Sequence, residues 1–145
     1  MSSFSRETPA ASVAAECRRR GTRAVVSGCI DILERGEFDD ALAMALSTGA
    51  ARQVLAGREG GRGGYWPRVW AIRALLYAWE DDALPVLLSA ASDDSWRVRE
   101  MVAKVLTKRH LEEGFSTLLR LQEDPVPRVR AAAERAIRTI ATQNG

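Results

Sequence analysis

Two stretches of the chain repeat one rhythm of apolar positions. Trp96-Arg97-Val98-Arg99 is followed by Met101, Val102, Val105 and Leu106; Pro127-Arg128-Val129-Arg130 is followed by Ala132, Ala133, Ala136 and Ile137. Steps of three and four residues put each set on one stripe of a helix. Arg97 and Arg128 stand 31 residues apart. Each Val-Arg opening follows an acidic turn, Ser92-Asp93-Asp94 in one case and Glu123-Asp124-Pro125 in the other. Two such stripes, one repeat length apart, predict stacked helical hairpins. The expected fold is all-α: an α-solenoid of about four stacked antiparallel hairpins.

The same spacing places the other elements. Residues 1–8 read as a disordered leader and residues 9–145 as a single helical domain. Thr8 caps a first helix over Pro9 to Arg20, stopped by Gly21. Thr22 caps a second, with Val25, Val26, Cys29, Ile32 and Leu33 apolar, and Gly36 ends it. A third helix covers Phe38 to Ser47 and a short fourth Ala50 to Ala56, so residues 9–56 form divergent N-terminal hairpins. Gly57 to Gly64, GREGGRGG, cannot hold a helix, since each glycine costs about 1 kcal/mol relative to alanine. Such a loop, with Arg58 and Arg62, can cradle a phosphate, but the Gly-Lys-Ser/Thr ending is missing and a long connection is expected. Residues 65–142 carry the repeats. Tyr65 to Trp79 is predicted helical with Pro67 in its first turn and Ile72, Leu75, Leu76 and Trp79 as core. Helices over Ala83 to Ala91, Ser95 to His110, Leu111 to Leu121 and Arg128 to Thr142 follow.

Composition narrows the chemistry. The net charge of +2 over 145 residues makes no bulk demand for a polyanion. No window approaches the roughly 18 to 20 apolar residues that span a bilayer, and Met1 to Thr8 lacks a signal-peptide core. A cytoplasmic protein without membrane contact is expected. Cys17 and Cys29 have no metal or redox spacing and read as free, buried thiols. Arg18, Arg19 and Arg20 fall where cations meet the negative end of a helix dipole. The one histidine, His110, sits at a helix end without a serine or cysteine partner. Glu80-Asp81-Asp82 and Asp93-Asp94 occupy helix-opening turns, where acids are expected in any case. No catalytic residue, cofactor or metal is therefore assigned.

The sets Asp93-Asp94…Val98-Arg99…Val102-Ala103…Val105-Leu106 and Asp124-Pro125…Val129-Arg130…Ala132-Ala133…Ala136-Ile137 resemble HEAT-like repeats, particularly the short type seen in phycobilisome-lyase proteins. The resemblance implies a ladder between neighbouring repeats, with Asp93 or Asp94 matched to Arg99, Asp124 to Arg130, and Arg68 or Arg73 a weaker counterpart upstream. It also implies that the second helix of each hairpin lines a concave face. Arg73, Lys104, Lys108, Arg135 and Arg138 would then form a basic strip. Trp66 and Trp70 would add an aromatic patch at its edge, and Trp70, off the centre of the core stripe, is the one expected to be exposed. The function implied is a non-enzymatic scaffold or adaptor that binds an acidic protein surface or peptide. The alternative is nucleic-acid binding, because HEAT-like repeats also build DNA alkylation-repair glycosylases; Trp66, Trp70, Trp79 and Asp81 supply that family's residue types. A third reading is a regulator or chaperone of cofactor attachment. Solenoid ends expose apolar surface unless capped, so the Ala-rich last helix also allows self-association.

Overall fold

The computed structural model describes residues 7–143, and the ordered elements among them are all helical. Most of the expected leader, residues 1–6, lies outside the described residues. Nine α-helices occur among the described residues: α1 Pro9–Arg20, α2 Thr22–Arg35, α3 Asp40–Ser47, α4 Ala51–Leu55, α5 Trp66–Ala74, α6 Leu84–Ser89, α7 Trp96–Arg109, α8 Phe115–Leu121 and α9 Pro127–Gln143. They fall into two compact units, Met1–Glu80 and Asp81–Gly145.

In the first unit, α5 packs against α1, α2 and α3 and is the central helix. Val13, Val25, Val26, Cys29, Ile32, Leu42, Leu46, Val54, Ile72 and Leu75 form the core. Thr8 caps α1 by accepting from the Ala11 amide at 3.1 Å. Asp39 caps α3 by accepting from the Leu42 amide at 2.6 Å. A Cβ added to Gly28 would lie 2.5 Å from Leu42 Cδ2, so glycine is what lets α2 approach α3. The arginines at the end of α1 do more than meet the dipole. Arg19 and Arg20 both pair with Glu16, a buried acid, and Arg20 reaches Asp39 at 3.2 Å.

The glycine-rich connection contains a single 3-10 turn, Gly61–Gly63. Arg62 pins it to α3: the guanidinium pairs with Asp40, donates to the Phe38 carbonyl at 3.2 Å and lies 4.7 Å from the centre of the Phe38 ring. After it, α5 ends at Ala74, earlier than the expected Trp79. The chain tightens into three-residue turns, with the Leu75, Leu76 and Tyr77 amides donating to Ile72, Arg73 and Ala74. Tightening rotates the side chains that follow. Leu76 and Trp79 are half-buried rather than core, and Ala78 is buried instead.

In the second unit, α7 and α9 make the main contact and α8 packs on α9. The openings of α7 and α9 meet: Arg128 lies 3.3 Å from Glu100 and 5.1 Å from the Trp96 ring. The two helices are therefore side by side and parallel, as corresponding elements of successive hairpins. Val98 and Val129 are both fully buried. Val102, Ala103, Val105 and Leu106 on α7 face the interior, as do Ala132, Ala133 and Ala136 on α9. Methyl-sized side chains on α9 permit this close approach. A Cβ on Gly114 would meet Leu106 Cδ2 at 2.5 Å.

Candidate functional site

The turns that open α7 and α9 are built alike. Asp93 Oδ1 accepts from the Ser95 amide at 2.8 Å, and Asp124 Oδ1 accepts from the Val126 amide at 2.9 Å. The arginine six residues after each aspartate then clamps the turn. Arg99 Nη1 donates to the carbonyls of Asp93 and Asp94 at 2.8 and 3.1 Å, and Arg130 Nη1 donates to the Asp124 carbonyl at 2.7 Å. Arg99 also reaches forward. Its Nε and Nη2 donate to the two Asp124 carboxylate oxygens at 2.7 and 3.2 Å. Each arginine holds its own turn through carbonyl oxygens, and the carboxylate pair runs instead from Arg99 to Asp124 of the next hairpin.

Asp124 is buried. Burial pushes its carboxyl pKa up, but the Arg99 hydrogen bond, the Val126 amide and the charges of Arg99 and Arg130 outweigh that and hold it below the ordinary 3.8. Arg99, Arg130, Asp93, Asp94 and Asp124 are accordingly engaged in the turns that open α7 and α9, Asp94 through its carbonyl, and Arg99 with Asp124 joins the two turns.

Beside this ladder, α7 and α9 present a row of cations. Lys104 and Arg135 occupy equivalent positions and are both exposed, as is Lys108. Lys108, Arg135 and Arg138 make no ion pair among the described residues. At the head of the row, Arg97 and Arg128 lie 4.6 and 5.1 Å from the Trp96 ring. Two guanidinium groups on one indole are oriented by the cation–π attraction. Glu100, mostly buried, is the acid of this face and is shared by Lys104 at 3.8 Å and Arg128 at 3.3 Å. Arg138 is exposed and corresponds to Thr107 rather than to Lys108. Sequence reasoning missed Trp96, Arg97 and Arg128 as surface residues, treating them as repeat openings; an aromatic ahead of one of two matched arginines was the available signal.

The remaining candidates, Trp66, Trp70 and Arg73, lie in the first unit. Trp70, expected to be exposed, is only 5% exposed. Trp66 is half-buried and stacks on it, with ring centres 6.5 Å apart. Arg73 Nη2 donates to the Leu46 carbonyl at 2.9 Å, which satisfies the end of α3. Burial lowers its pKa, with Tyr77 acting in the opposite sense. α5 packs against α1, α2 and α3, and Trp66 and Arg73 stay half-buried on it.

No group of three or more potential metal ligands occurs among the described residues. None of their helices is long and apolar enough to cross a membrane.

Parallel equivalent helices, clamped turns and a forward arginine–aspartate rung define an α-helical repeat protein. The family model for HEAT repeats matches residues 65–138, half of the chain. The chain belongs to the HEAT repeat family. Comparison with the curated proteins and with the solved structures finds no match. HEAT repeats generally mediate protein–protein interaction and typically act as non-catalytic scaffolds.

Proposed function

We propose that this protein is a non-catalytic adaptor that binds an acidic protein segment along the α7–α9 face. The observation that carries this reading is the row Arg97, Lys104, Lys108, Arg128 and Arg135, in which Glu100 is shared by Lys104 and Arg128. A solvated helix face ordinarily mixes signs; here two neighbouring helices present cations in register. Trp96, with two guanidinium groups over its ring, gives the row a rigid head, and Trp and Arg are favoured where binding energy concentrates. The Glu100 carboxylate holds Arg128 and Lys104 in place without neutralising the row. An extended acidic peptide would run along the furrow between the helices, exchanging solvent-screened charges for paired ones.

The test uses a fluorescein-labelled oligoglutamate peptide and the full chain. Binding is expected to weaken with added salt and by more than about tenfold in K104E/K108E/R135E. Equal affinity of parent and variant would discard the face. Duplex DNA in the same assay decides the partner class: a strong preference for DNA over the peptide, with a steep salt dependence, would replace the adaptor reading by nucleic-acid binding.

A further inference from the structure

The outer face of the last hairpin repeats a surface that is covered one hairpin earlier. Leu106 of α7 is fully buried, whereas its counterpart Ile137 on α9 is half-buried. Leu84 and Leu88 of α6 are half-buried, whereas their counterparts Phe115 and Leu119 are 37% and 41% exposed. Phe115 and Leu119 are one turn apart and share a face. Arg99 spends Nε and Nη2 on the Asp124 carboxylate, whereas Arg130 bonds the carbonyl of its own turn and no carboxylate among the described residues.

Charge on this hairpin is divided between its two helices. Glu112 and Glu113 before α8 and Glu123 after it are exposed and have no ion partner among the described residues. On this side Arg120 is turned to the Thr117 hydroxyl. The α9 side carries Arg130 and Arg138, with Glu134 the acid among them. The short connection from Gln122 to Val126 makes α8 and α9 antiparallel neighbours.

We propose that this face is a twofold contact between two copies of the chain, with α8 of each copy laid antiparallel on α9 of the other. A dyad parallel to the helix axes keeps helix directions and exchanges the two sides, so the acidic side of each copy meets the basic side of its mate. Glu112 and Glu113 then oppose Arg138, Glu123 opposes Arg130, and Phe115 and Leu119 cover Ile137. The contact supplies Arg130 with the forward carboxylate that Arg99 already has. Being isologous, it closes at two copies.

Sedimentation velocity of the full chain, from low micromolar to near-millimolar, tests this. The mass is expected to move from one chain to two, less readily in high salt. F115S/L119S should stay a single chain throughout and still melt as a folded helical protein, at a lower midpoint because each side chain is more than half covered within the chain. R138E should raise the dimer Kd by about tenfold or more, and E112R/E113R/R138E should restore it, which a merely misfolded variant would not do. K104E/K108E/R135E should dimerise like the parent, separating this face from the peptide-binding one. A parent that stays monomeric, a dimer indifferent to F115S/L119S, a charge swap that fails to restore pairing, or a mass growing beyond two chains would each overturn the proposal.

Discussion

Arg99 is the residue whose geometry does most for the second unit. Five donors on a rigid plane let it bond two carbonyls of its own turn and both oxygens of Asp124 at once. Lysine could not span those acceptors. Replacing Asp124 by alanine leaves the Arg99 charge and the Val126 amide without their partner in a buried place, and such losses cost about 3 kcal/mol. D124N keeps a single acceptor oxygen, which the Val126 amide and Arg99 Nη2 can share while Arg99 Nε loses its partner, and should cost less, about 1–2 kcal/mol. Urea unfolding of D124A and D124N checks both values. The acid limb follows from the sign of the shift. The folded-state carboxyl lies below its ordinary 3.8, so the ionised form is favoured by folding. Its contribution is present above that value and is lost as pH falls through the folded one. Parent stability should therefore drop more steeply than that of D124N below about pH 4. A second test concerns thiols. Burial, with a smaller push from Cys17, raises the Cys29 pKa to about 12. Cys29 should ignore a disulfide reagent in the native protein and react only after unfolding, whereas half-buried Cys17 is the thiol to react first.

At the scale of elements, what the chain announced in advance was the regular part. Val98 and Val129 lie at the same depth because each opens a helix that must bury the same stripe, and that periodicity survives any surface change. Trp70 was misplaced for the opposite reason. α5 is enclosed by α1, α2 and α3, and Pro67, Val69, Trp70, Ala71, Ile72 and Ala74 are all buried. A helix covered on several sides has no polar face from which a stripe can be read. The tightened turn after Ala74 then carried Leu76 and Trp79 off the expected line. Glycines were opaque in a different way. Gly114, at the start of α8, is a spacer: its φ is an ordinary −90°, and what excludes a side chain is Leu106. G114A should lower stability by about 1–3 kcal/mol through overpacking. The same change made in L106A should cost much less, and the shortfall in a double-mutant cycle would be the coupling between the two sites. An equal cost in both backgrounds would show that the cause is not Leu106.

For the whole molecule, the consequence of repeat construction is that stability need not be shared evenly. Each hairpin leans on its neighbours, and opening free energies differ along such chains. Here the residues form two compact units, Met1–Glu80 and Asp81–Gly145. The first is held by a core around α5 with Glu16, Arg19, Arg20 and Asp39 at its rim. The second depends on the α7–α9 contact, which α9 makes largely with alanines. Small side chains bury little area each, so the Arg99–Asp124 rung and the fit of Gly114 against Leu106 matter more there. Hydrogen exchange on D124A should consequently show amides of α6 to α9 losing protection while those of α1, α2 and α5 keep most of theirs. Uniform loss across all helices would mean that the chain opens as one cooperative body, and the basic row on α7 and α9 would then respond to damage anywhere in the protein rather than to its own hairpins alone.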